Sequence, residues 1–136
     1  MVKSVLDKQL LVTVNNKIGT LAEITNIIAG SGINLLAVCA YGVDNKGTIM
    51  FVSEDNKEAT KLLKAKKYDV REEEVVLLTL DNKPGALQSV TKQIAALGVD
   101  VNLIYGSVDK DGKSCRLVLV SEDNGTVLMG IRMNQK

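Results

Sequence analysis

Leu10 to Val14 is a short aliphatic run with β-branched content and reads as a strand. After the polar stretch Asn15-Asn16-Lys17-Ile18-Gly19 the period changes. Leu21, Ile24, Ile27 and Ile28 recur at helical spacing and predict a helix over Thr20 to Ala29 with one apolar side. Gly30-Ser31-Gly32 ends it, with glycine available for a left-handed cap. Ile33 to Tyr41 reads as a second strand, Asp44-Asn45-Lys46-Gly47 as a hairpin turn, and Thr48 to Ser53 as a third strand. Ala59, Leu62 and Leu63 mark one side of a second helix, Glu58 to Lys66. Tyr68 to Glu74 carries enough charge to suit an exposed edge strand.

The same pattern then starts again. Between Leu11–Gly32 and Leu77–Gly98, a shift of 66 residues gives identity at 10 of 22 positions. Unrelated segments would agree at roughly one or two, so the chain is a small unit used twice. The second copy predicts a strand Val75 to Leu80, a loop Asp81 to Gly85, and a helix Ala86 to Leu97 with Leu87, Val90, Ile94 and Leu97 inward. Strand Val99 to Val108, turn Asp109 to Gly112 and strand Ser114 to Val120 follow. Val127, Leu128 and Ile131 suit a short helix, after which Met133 to Lys136 leaves no room for a fourth strand. The expected fold is α+β: a ferredoxin-like βαββαβ sandwich used in tandem, with domains over residues 1–74 and 75–136, the second lacking its last strand. Such a gap leaves Val75 to Leu80 with an open edge, to be covered by a second copy of the chain or by the N-terminal segment Val2 to Leu6.

Composition narrows the chemistry. The chain has no His, which removes the commonest general base and the commonest metal ligand together. Cys39 and Cys115 occupy different places in their repeats and form no C-x-x-C spacing, so they read as buried small hydrophobes, with no metal site expected. A net charge of +1 with one Phe, three Tyr and no Trp argues against a nucleic-acid-binding sheet face. No apolar run approaches a membrane span, and Lys3, Ser4, Asp7 and Lys8 interrupt any signal-peptide core, so a cytoplasmic location is expected. Arg71, Arg116 and Arg132 lie outside the first loop, and no nucleophile–base pair is evident; no catalytic residue and no cofactor are expected.

The first loop with its N-x-x-G-x-L pattern, Asn16-Lys17-Ile18-Gly19-Thr20-Leu21, followed by a helix and then Gly32-Ile33-Asn34, resembles the ACT domain. The second copy, Asn82-Lys83-Pro84-Gly85-Ala86-Leu87, is closer still because it has the proline usual in that family. Gly98-Val99-Asp100, Tyr105 and the Asp111-Gly112 hairpin look like the second half of stand-alone tandem ACT proteins of bacteria. The resemblance covers about residues 10–124. It departs at Ile18, where the proline is missing, and at the absent last strand.

That resemblance implies a regulatory module without catalytic activity, which binds a small effector, most often an amino acid, between paired ACT units. Carried over residue by residue, it nominates Asn16, Lys17, Ile18 and Gly19 in the first unit and Asn82, Lys83, Pro84 and Gly85 in the second. Asn34 and its counterpart Asp100 are added at the start of the second strand. A helix N-terminus suits an α-carboxylate, and an Asn amide can serve both a carboxylate and an ammonium. The same residues are equally explained as turn glycines and Asx caps. Expected partners are the amino-acid effector, a second copy in a homodimer, and an enzyme that the module regulates. The competing reading is an interaction subunit that pairs through an open sheet edge and binds no small molecule.

Overall fold

The computed structural model describes residues 2–15, 17–108 and 112–133. It divides into two compact units, Lys8–Glu73 and Met1–Asp7 with Glu74–Lys136. The elements run β1 (Lys3–Asn15), α1 (Thr20–Gly30), β2 (Leu35–Val43), β3 (Lys46–Ser53), α2 (Asn56–Ala65) and β4 (Asp69–Asp81). They continue with α3 (Ala86–Ala96), β5 (Val101–Val108), β6 (Ser114–Ser121) and α4 (Asn124–Met133).

In the first unit the strands are ordered β2-β3-β1-β4, the arrangement of a βαββαβ sandwich. β1 pairs antiparallel with β3 from Leu10 opposite Phe51 to Asn15 opposite Lys46, and β2 pairs antiparallel with β3. Leu10 and Val12 alternate onto the helix-covered face, where they meet Ile49 and Phe51 of β3 and Ile24, Ile28, Ala59 and Leu63 of the helices. In the second unit the order is β1-β4-β6-β5, with an equivalent core of Leu78, Leu80, Val90, Ile94, Leu119, Val127 and Ile131.

The long strands depart from the sequence expectation. β1 begins at Lys3, well before Leu10, and β4 is one strand of 13 residues where two had been expected to meet at 74/75. The segment Arg71-Glu72-Glu73-Glu74 has no glycine, proline or asparagine with which to turn, so nothing interrupts the extended chain. The gap left by the missing last strand is filled by the chain itself. The start of β1 belongs to the second unit, beside β4, whereas the domain division expected from the sequence put it with the first. Val2 packs against the second core, and Arg132 Nη2 donates to the Ser4 carbonyl at 2.9 Å.

Each unit's second helix is fastened by the same device. Asn56 Oδ1 accepts from the Ser53 amide (3.0 Å) and hydroxyl (2.7 Å), while its Nδ2 donates to the Lys8 carbonyl at 2.8 Å. Asn124 Oδ1 accepts from the Ser121 amide and hydroxyl, both at 2.8 Å, and its Nδ2 donates to the Glu74 carbonyl at 3.0 Å. Asp55 and Asp123 then cap the helices by accepting from the Glu58 and Thr126 amides, each at 3.1 Å.

Candidate functional site

In both units the first strand runs into its helix through a glycine in the left-handed region, Gly19 at φ 88° and Gly85 at φ 88°. Each glycine is the N-cap of its helix and accepts the first helical bond, from Glu23 N–H (2.9 Å) and Ser89 N–H (3.0 Å). A glycine cap brings no side chain, so it leaves the next amides to solvent or to a ligand. In the first unit Thr20 N–H closes a turn onto the Lys17 carbonyl at 3.3 Å, and Lys17 and Ile18 stand exposed. Asn16 lies outside the described residues, as do Asp109 to Asp111 of the second hairpin.

A groove of about 370 Å³ opens beside this loop. Its floor is Val14, Ala40, Gly47 and Ile49, and its rim is Leu21, Tyr41 and the first turn of α1. Gly47 lies opposite Val14 in the β1–β3 register, and a Cβ there would stand 3.0 Å from Val14 Cγ2. The bare glycine therefore keeps the floor low.

A second groove of about 380 Å³ shares Val14, Lys17 and Thr20 with the first and continues to Glu23, Lys67, Tyr68 and Asp69. Tyr68 Oη donates to Glu23 Oε1 at 2.6 Å. That hydrogen bond, with burial and the nearby carboxylate charge, pushes the phenol up to about 12, so it stays a donor. Lys67 ends α2 in the left-handed region at φ 67°.

Several counterparts in the second unit are bulkier or already engaged. By strand register Leu80 replaces Val14, Cys115 replaces Gly47 and Leu117 replaces Ile49. Gly106 stands where Ala40 does, and a Cβ on it would collide with the Arg116 carbonyl and Leu117 Cδ2. Asn82 Nδ2 donates to the Gly112 carbonyl at 2.8 Å, and the Asn82 amide donates to the Lys113 carbonyl at 3.0 Å. Its side chain ties the loop to the β5–β6 hairpin. Lys83, Pro84 and Gly85 sit exposed beside it.

Asn34 and Asp100 are not brought to the loops. They follow the C-terminal ends of α1 and α3, about 16 Å from the N-cap glycines along an eleven-residue helix. There they meet β3 and β6: Asn34 Nδ2 donates to Glu54 Oε1 at 3.5 Å, and Asp100 N–H donates to Glu122 Oε1 at 3.2 Å. Sequence reasoning missed Ala40, Tyr41, Gly47, Lys67 and Tyr68, which reach the loop only through strand pairing and the return from α2. The tetrapeptide Ser53-Glu54-Asp55-Asn56, repeated at Ser121-Glu122-Asp123-Asn124, could have located the ends of β3 and β6 and the helix starts.

Among the described residues no helix is long and apolar enough to cross a membrane, and no group of three or more Cys, Asp or Glu is placed to hold a metal ion. No curated protein matches the chain. Among solved structures, protein BT0572 from Bacteroides thetaiotaomicron superposes with a TM-score of 0.89 at 27% identity, over 96% of this chain and 89% of that one. The regulatory subunits of aspartate kinase from Thermus thermophilus (ligand-free form) and Thermus flavus share the fold. Their TM-scores are 0.70 and 0.67 at 13% and 14% identity, over 98% and 97% of this chain and 98% and 95% of theirs. The sequence profile described as ACT domain pair matches residues 5–128, nearly the whole length, and the chain belongs to that family.

Proposed function

We propose that this chain is a non-catalytic regulatory module that binds a small effector, an amino acid, at the β1–α1 loop of its first unit. The observation that carries the reading is the groove at the N-terminus of α1, formed by the loop whose pattern the chain repeats. A volume of about 370 Å³ is at the low end for ligand pockets, which suits a small molecule. Its apolar floor is ready for an aliphatic or aromatic side chain, and the helix N-terminus favours an anionic group. Asn16, Lys17, Ile18 and Gly19 are the proposed contacts, with Asn82, Lys83, Pro84 and Gly85 as the pseudo-equivalent set.

Thermal unfolding against the twenty amino acids, each at millimolar concentration, tests this. A binder at 100 times its dissociation constant adds about 2.7 kcal/mol, a shift of several degrees in so small a protein. A flat panel on folded protein refutes it.

Two partners belong to the same proposal. One is a second copy: the outer strand β2 exposes Val38, Tyr41 and Val43, and an apolar strand edge invites pairing. A monomer mass at every concentration tested would exclude it. The other is an enzyme under the module's control, in line with the Thermus neighbours, which are regulatory subunits of aspartate kinase. The interaction-only reading loses its motive, because the edge of β4 that prompted it lies beside β1.

A further inference from the structure

The groove on the far flank of α1 carries a charge pattern that the loop reading does not use. Two basic residues, Lys17 and Lys67, and two acidic ones, Glu23 and Asp69, line it. The Tyr68 hydroxyl holds one oxygen of Glu23 at 2.6 Å and so orients the other. Lys17, Lys67 and Asp69 make no side-chain hydrogen bond or ion pair with another described residue. A polyanion entering here is repelled by the two carboxylates and a simple cation by the two lysines. A small zwitterion, with opposite charges a few ångströms apart, satisfies both pairs.

The backbone supplies a second reason. α1 is followed by Gly32 at φ 73° and α3 by Gly98 at φ 71°, each donating its N–H back into the helix. α2 is followed by Lys67 in the same conformation, with Lys67 N–H donating to the Lys64 carbonyl and Tyr68 N–H to the Leu63 carbonyl. The chain uses glycine at two such helix ends, where a side chain is strained. At the third it keeps a lysine, and that lysine lines the groove.

We infer that this groove reads the charged head of the effector, its carboxylate meeting Lys17 and Lys67 and its ammonium meeting Glu23 and Asp69. The inference rests on the amino-acid reading above and deepens it. Glu23, Lys67 and Asp69, none of them in the repeated loop, become the residues that demand a free amino acid.

The test takes the amino acid giving the largest melting shift in the panel, and measures by calorimetry its affinity and that of its N-acetyl and primary amide derivatives. Both derivatives should bind at least tenfold more weakly, and Lys67→Gly and Asp69→Asn should each lose at least tenfold for the parent. Lys67→Gly suits the left-handed backbone and Asp69→Asn keeps the side-chain shape, so weak binding by these variants is not explained by misfolding; melting curves verify this. Undiminished binding by either derivative, or by both variants, overturns the inference while leaving the amino-acid reading intact. A panel with no binder at all overturns both.

Discussion

Replacing Asn124 with alanine removes a buried clamp whose energy can be worked from its bonds. Asn124 and Ser121 are each 8% exposed. The side-chain oxygen of Asn124 accepts two bonds from Ser121 and its amide donates one to the Glu74 carbonyl, 50 residues away in sequence. A typical intramolecular hydrogen bond is worth about 1 kcal/mol net, and a buried partner left unsatisfied costs about 1–3 kcal/mol. The serine hydroxyl can rotate to another acceptor; the Ser121 amide and the Glu74 carbonyl cannot. The loss should be about 3 kcal/mol, a substantial part of the 5–15 kcal/mol that stabilises a typical domain. Urea unfolding followed by far-ultraviolet circular dichroism gives the value, provided the slope with urea is unchanged. Asn56→Ala breaks the corresponding clamp in the first unit, where the asparagine is only half-buried, so it should cost less. A loss below about 1 kcal/mol for Asn124→Ala, or a larger loss for Asn56→Ala, would refute the reasoning, because burial is what separates the two.

Lys67→Gly should stabilise the fold by roughly 0.5–1 kcal/mol in the same assay, since relief of about 1–2 kcal/mol of left-handed strain exceeds the entropy of a glycine. Gly106→Ala should cost about 1–3 kcal/mol by overpacking against the Arg116 carbonyl and Leu117. Gly85→Val places its Cβ 4.0 Å from Gln88 Oε1, an ordinary contact, but at a φ of 88°, so it should fold with a loss of about 1–2 kcal/mol, measured by thermal melting. Tyr68 should titrate near 12 where its unfolded value is 10. The unfolded chain releases that proton first, so the contribution is intact below pH 10 and is lost as pH rises toward 12. Phenolate absorbance should show this late step in the native protein and not in Tyr68→Phe.

Much of the architecture was legible along the chain, and for local reasons. Alternation and helical periodicity depend on near neighbours, so α1, α3 and the hairpin strands stand close to where Ile24, Ile28, Val90 and Ile94 implied. The repeat exposed the loop glycines because φ at Gly19 and Gly85 is a property of single residues. What the sequence could not decide is partnership between distant segments. That the start of β1 completes the second unit rests on pairing with β4 some 70 residues away, and a stretch such as Lys3-Ser4-Val5 reads poorly as a core strand because Ser4 is its buried residue there. The grooves follow the same rule. Gly47 lies low because Val14 is opposite it, and Lys67 lines the same groove as Lys17 only because the chain leaving α2 returns beside the loop. Periodicity determines which face of an element is apolar; only the folded chain decides which faces meet, since that choice is made by the summed packing of residues far apart in sequence.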